Sequence, residues 1–196
     1  MKHNREFEIA WQGLKPGEHE YVFRVGHEFM KEHHAPEEYS DWNAEVKLIF
    51  DKHTNFFQMH FDVSGSVVAP CDRCGDDFKL DLWDEFDLMV KLTGDADDEE
   101  EKEEEADIVF IPRHETVLDI SKWVYEFVML SVPLQKVHPN DKEGNPGCNP
   151  EALKLLNQLS ELEEAPEHNV WKGLEAFRPG QEEENTSNKV NKRKTK

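Results

Sequence analysis

Apolar residues between Ala44 and Leu92 recur at every second position, and this period constrains the chain more than any other feature. Ala44, Val46, Leu48 and Phe50 alternate with polar residues such as Glu45 and Lys47. After the polar turn Asp51-Lys52-His53-Thr54-Asn55, the set Phe57, Met59, Phe61 and Val63 resumes the alternation and runs through Gly65 and Val67 to Ala69. Successive side chains of a strand point to opposite faces, so the two runs predict a β-hairpin with one buried face. Beyond a pair of cysteines, Phe78, Leu80, Leu82, Phe86, Leu88, Val90 and Leu92 share one phase broken only by Asp84, which predicts a further strand.

The flanking segments supply the remaining elements. Phe7-Glu8-Ile9-Ala10-Trp11 reads as a strand, Gly13 to Gly17 as a turn, and Tyr21 to Val25 with Phe29 as strand-like. Adjacent side chains of an extended segment diverge, so His33-His34 reads as a solvated linker, not a metal site. Ile108-Val109-Phe110-Ile111 is a short strand ended by Pro112. From Leu118 the spacing becomes helical through Ile120, Trp123, Val124, Phe127, Val128 and Leu130, with Asp119 or Ser121 near the N-terminus and Pro133 as a stop. Asn149-Pro150-Glu151 is a cap followed by proline at the first helical position, and Leu153, Leu155, Leu156, Leu159 and Leu162 give a stripe. Val170, Trp171, Leu174 and Phe177 suggest a last short amphipathic piece. Helical stripes of this kind are expected to pack on the sheet. The fold class is α+β: an antiparallel sheet of five or six strands, or a partly open barrel, with two to three helices.

Charge narrows the partners. The 196 residues carry a formal −20, the reverse of a generic DNA coater or a binder of anionic membranes. Residues 95–107 alone hold −9, and 185–196 hold +5, which leaves −16 for the rest. Neither segment has the apolar residues to offset the entropy of folding, so we expect a single domain over 1–180 with a disordered acidic loop at 95–107 and a disordered basic tail at 181–196. The start of the chain does not resemble a signal peptide, and no stretch approaches the ~20 apolar residues of a membrane span. The expectation is a soluble, cytoplasmic protein.

Pro70-Cys71-Asp72-Arg73-Cys74-Gly75 carries the strongest chemical signal. Two cysteines two residues apart at a hairpin tip can aim both sulfurs at one centre, and the glycine lets the backbone turn under them. A thioredoxin-like dithiol would instead stand at the start of a helix after a strand. The other half of a site would come from His138, in the Pro- and Gly-broken loop after the helix, and Cys148. Cys71, Cys74, His138 and Cys148 make three thiolates and an imidazole, a closed structural zinc set. The alternative is an exposed loop histidine and a buried small cysteine, and nine residues between His138 and Cys148 are a wide gap for a compact half-site.

These features together resemble the YceD family. The resemblance rests on Cys71-Asp72-Arg73-Cys74-Gly75 with Phe78, the acidic loop, the short strand, Asp119-Ile120 opening a helix, the Leu130 to Pro133 exit, and the following His138 and Cys148. Asn169, Trp171, Leu174 and the basic tail add to it, so that it runs roughly from Phe7 to the end. It implies a cytoplasmic, non-enzymatic bacterial factor supporting large-subunit (23S) ribosomal RNA accumulation, processing or large-subunit assembly. The partners it implies are a large ribosomal subunit precursor and its RNA, with no membrane and no small-molecule substrate. The Asn149 to Leu162 helix reads as an addition to the family pattern.

Three functions remain in contention. In a zinc-stapled assembly factor, RNA contacts would fall on Arg73 and on Lys189, Lys192, Arg193, Lys194 and Lys196. In an acidic adaptor, the body would hold a basic ribosomal protein without touching RNA. An enzyme is disfavoured because the chain has no Gly-rich phosphate loop, nucleophile elbow or His-Glu-x-x-His motif.

Overall fold

The computed structural model describes residues 5–94, 108–140 and 142–163, with side chains through 160. The acidic run 95–107, the amphipathic piece 170–177 and the tail 181–196 lie outside the described residues. The first compact unit runs from Met1 to Lys154 and the second from Leu155 to Lys196.

The alternating runs form the strands they imply. β1 (Glu8–Ile9) is followed by β2 (Gly17–Gly26), α1 (His27–Glu32), β3 (Ser40–Lys52), β4 (Phe56–Pro70) and β5 (Asp77–Thr93), then β6 (Ile108–Pro112), β7 (Leu118–Asp119), α2 (Ser121–Leu130) and α3 (Pro150–Glu163). The main sheet has the order β2-β3-β4-β5-β6 and is open. Across β3, β4 and β5 the register stacks Val46, Val63 and Asp84, then Leu48, Phe61 and Phe86, then Phe50, Met59 and Leu88 on one face. Phe50, Phe57 and Phe61 are fully buried, and each such ring contributes roughly 2 kcal/mol by its burial. Asp84, the residue that breaks the phase of β5, stands half-buried opposite Val63 without ending the strand.

Tertiary packing overrides the sequence in several places. The hairpin turn is only His53-Thr54-Asn55, because Asp51 and Lys52 still pair within β3. Residues 7–11 contribute just the two-residue β1, paired with β7, while Phe7 and Trp11 enter the core from short 3-10 turns on either side. Those turns put their rings on Phe29, at 4.5 Å from Phe7, and on Phe57, at 5.0 Å from Trp11. Lys52 holds the same segment: its Nζ donates to the Trp11 and Leu14 carbonyls at 2.8 and 2.7 Å and lies over the Trp11 ring. Phe29, read as strand-like, is helical, because β2 ends at Gly26 and α1 then turns Phe29 and Met30 into the core together. Of the His33-His34 pair, His34 is exposed as expected, whereas His33 is half-buried: its Nδ1 lies 2.9 Å from the Phe29 carbonyl, and its ring is tilted on Phe29 and stacked on Tyr125.

β6 runs parallel to β5, not antiparallel. A parallel neighbour needs a crossover of about a dozen residues, and fourteen separate the two strands. α2 starts later than the helical spacing suggests, since Leu118 and Asp119 pair with β1. Asp119 Oδ1 then accepts the Ser121 N–H at 2.9 Å, satisfying one of the free amides of the helix start. The α2 stripe packs on the sheet, with Phe127 stacked on Phe86 at 4.6 Å and tilted on Phe61 at 4.8 Å. α3 begins as its cap implies: the Glu151 N–H donates to Asn149 Oδ1 at 2.9 Å. Leu155, Leu156 and Leu159 of its stripe are exposed. Among the described residues no helix is long and apolar enough to cross a membrane.

Candidate metal centre

β4 and β5 are joined by a tip with the hydrogen bonds of a knuckle. The Gly75 N–H donates to the Cys71 carbonyl at 2.8 Å, and the Cys71 N–H donates to the Asp76 carbonyl at 3.0 Å. Gly75 has φ +79, the left-handed region that a residue with a Cβ adopts only at a cost. This turn brings the Cys71 and Cys74 sulfurs to one side and leaves Arg73 exposed.

The loop after α2 is fastened to that tip by a reciprocal clamp. The Asp72 N–H donates to the Lys136 carbonyl at 2.7 Å, and the Lys136 N–H returns a bond to Asp72 Oδ2 at 2.6 Å. Lys136 Nζ reaches Asp72 Oδ1 at 3.5 Å and lies over the ring of Tyr39, the residue just before β3. The Tyr39 hydroxyl beside it, against the opposing effect of burial, raises the Lys136 pKa, as do the nearby acids Asp72 and Glu38. Further on, Asn149 Nδ2 donates to Asp76 Oδ2 at 3.1 Å. None of these tethers was evident in the sequence, because nothing marks Asp72 and Lys136 as partners across 64 positions.

The wide gap between His138 and Cys148 closes on itself. Asn140 and Pro146 form an antiparallel bridge, so the chain leaves and returns at one place. Gly147 makes this approach possible, since a Cβ there would stand 2.5 Å from the Pro139 carbonyl oxygen. The Pro146-Gly147 turn pair before Cys148 is the signal that could have anticipated it. Changing Gly147 to Ala should push the two arms apart and weaken metal binding about tenfold, about 1.4 kcal/mol, as read by competition with a chelator.

Cys71, Cys74, His138 and Cys148 therefore converge, with one ligand atom from each lying within 4.8 Å of all the others, close enough to hold a metal ion. The Cys71 and Cys148 sulfurs are 3.8 Å apart, too far for a disulfide, whose S–S distance is ~2.05 Å. Cys74 Sγ lies 3.5 Å from His138 Nδ1. A tetrahedron with metal–sulfur bonds of ~2.3 Å and metal–nitrogen bonds of ~2.0 Å has edges of ~3.8 Å and ~3.5 Å, so both distances fit one ion at the centre. Cys71 and Cys148 are buried, and the His138 ring lies against Phe78 with centroids 4.6 Å apart. His33 and His34 take no part in the cluster. Of the other residues singled out, Arg73 stands at the exposed tip, while Lys189, Lys192, Arg193, Lys194 and Lys196 lie outside the described residues.

The electrostatics favour a thiolate. Burial pushes Cys71 up, but the backbone amides of Arg73, Cys74 and His138 and the His138 side chain outweigh it and bring its pKa down to about 6. Burial, reinforced by the neighbouring Cys71 and Cys74 sulfurs, raises Cys148. Protons and metal compete for the same sulfurs. Affinity should thus fall as Cys71 takes up its proton below about pH 6, and should still climb above neutrality, where binding must displace the proton from Cys148. A chelator competition from about pH 5 to about pH 9 that gave a flat affinity would contradict this.

A family model described as "Large ribosomal RNA subunit accumulation protein YceD" matches residues 59–178. The matched stretch is shorter than the Phe7-to-end resemblance: it starts within β4 and contains all four clustered residues. No curated protein and no solved structure matches the chain. With more than half of its length matched, the chain belongs to the YceD family, named for accumulation of the large ribosomal RNA subunit.

Proposed function

We propose that this protein is a non-enzymatic assembly factor of the large ribosomal subunit whose fold is stapled by zinc held by Cys71, Cys74, His138 and Cys148. The observation that carries the reading is the convergence of three cysteines and one histidine inside the matched span. Zinc is the metal that best suits such a tetrahedral sulfur–nitrogen set. Four protein ligands leave no position for water or substrate, so the metal supplies folding free energy, on the order of 10 kcal/mol, and not hydrolysis. It joins the β4–β5 tip to the loop after α2, two segments that the sheet hydrogen bonds do not connect.

The staple presents Arg73 at the tip, where it can meet phosphate. Elsewhere the acidic body repels RNA over the ~8 Å screening length, so RNA contact is confined to that tip and to the basic residues 189–196. The test is cosedimentation of the full chain, tail intact, with immature large subunits, and its binding to large-subunit RNA at moderate salt. Both should be present and weakened in Arg73→Ala, and absence of both defeats the proposal. The acidic outward residues of β2 to β5 favour a second reading, an adaptor that holds a basic ribosomal protein. A pull-down dominated by one basic protein and surviving nuclease would distinguish it.

A further inference from the structure

The face of the main sheet that does not meet the core carries its own pattern. β2 to β5 point Glu18, Glu20, Glu45, Asp51, Asp62 and Glu85 away from the buried rows. Two ion pairs lie on this face, Arg24 with Glu45 at 4.0 Å and Lys47 with Glu20 at 3.5 Å. Lys47 also stands directly across from Asp62 in the register but pairs with Glu20, so among the described residues neither Asp62 nor Glu85 makes a close ion pair with a lysine or arginine. The register sets those two carboxylates directly opposite one another on β4 and β5, an arrangement that destabilises an isolated sheet.

Two further features lie beside that pair. On the next rung Trp83 faces Ser64 and is 77% exposed, although it sits mid-strand in a β-sheet that buries its other face. In the opposite direction the face hollows into a groove of about 870 Å³, with Ile49, Met89 and Ile108 among its apolar lining and carboxylates of Glu18, Asp51 and Asp87 at its sides. Among the described residues, Asp51 and Asp87 are engaged by histidines alone, His53 at 2.9 Å and His60 at 2.8 Å. An apolar floor between carboxylates suits the aliphatic stem and charged head of a lysine or arginine, and an exposed indole suits a guanidinium.

We infer that this outward face is the docking surface for an extended lysine- and arginine-rich protein segment, which lies along β5 from the groove to Trp83. Charge complementarity selects this occupant, since phosphate and anionic lipid would meet uncompensated carboxylates. The spacing agrees. Every second side chain of an extended segment points the same way at a repeat of ~7 Å, as do Asp81, Trp83, Glu85 and Asp87 along β5. The inference rests on the adaptor reading above and names the surface that reading leaves open. It is independent of the metal, because none of these residues belongs to the cluster.

The experiment is fluorescence anisotropy of a labelled ten-residue peptide alternating Arg or Lys with Ser, titrated with the full chain. Binding should weaken as salt rises. The double variant Asp62→Asn/Glu85→Gln should bind about tenfold more weakly and Trp83→Ser about fivefold, while Glu28→Gln/Glu32→Gln on α1, equal in charge change, should stay within about twofold. Equal losses in the face and α1 variants, or none in the face variants, overturn the surface assignment while the adaptor reading stands. No peptide binding by the wild-type chain overturns both. An RNA of equal length that displaces the peptide, or self-association that excludes it, also overturns the assignment.

Discussion

With zinc held as proposed, changing Cys71 to Ser should strip that metal and release the β4–β5 tip and the loop after α2 from one another. Cys71 is the most buried of the four residues, and its pKa of about 6 makes it a ready thiolate at neutral pH. Serine at that position replaces a soft, ionised sulfur with a neutral hydroxyl that binds zinc poorly. Metal content should fall from about one ion per chain to near zero, and equally so for Cys74→Ser, Cys148→Ser and His138→Ala. Metal worth on the order of 10 kcal/mol rivals the stability of a whole domain. Its loss is nevertheless expected to be local, because Phe57 packs on Trp11 and Phe50, and Phe61 on Phe127 of α2, rather than on the cluster. Hydrogen exchange should therefore rise sharply over 132–148 and the tip, while β3 and β4 stay protected. A chelator should reproduce the change in the wild type and add nothing in the variant. Zinc retained in His138→Ala would mean another fourth ligand.

Replacing Gly65 by Ala should damage the sheet more than any surface substitution. Gly65 stands in the middle of β4 at φ +154, paired with Ala44 on one side and Leu82 on the other. A Cβ there would fall on the Asn43 carbonyl oxygen and within 2.5 Å of the Ala44 Cα. Both are backbone atoms of the neighbouring strand, so no rotamer change relieves the overlap and β3 must move. The expected cost is about 3 kcal/mol or more, combining overpacking with a backbone conformation that side chains rarely adopt. The denaturant midpoint should drop accordingly, and zinc content should be unchanged in whatever fraction remains folded. An unfolding free energy within about 0.5 kcal/mol of the wild type would show that the strands yield more easily than their pairing suggests.

Glycine at 65 illustrates how much of the fold could be read in advance. The alternation through Gly65 marked the strand and its buried face, but not the close approach of Ala44, which depends on how the two strands are paired. Phe29 and Phe7 show the same division. Both read as strand residues and both are buried, yet one is helical and the other lies in a 3-10 turn, which brings their rings together in the core. For β6, the short apolar run identified a strand but carried no information on its direction.

The cysteine–histidine cluster divides along the same line. Cys71 and Cys74 were legible as a pair because two residues of separation suffice to bring their sulfurs together within one turn. His138 and Cys148 could only be nominated by residue type. Their convergence on the pair depends on the Asn140–Pro146 bridge, the close approach at Gly147, and the clamp between Asp72 and Lys136.

What the sequence determined by itself was local: strand periodicity, helix caps, the cysteine turn and the distribution of charge, each fixed by neighbours a few residues apart. The tertiary structure alone decided which distant atoms meet. It closed the four-residue cluster and set Asp62 against Glu85, because contacts across tens of residues depend on strand register and loop closure, which no local pattern encodes.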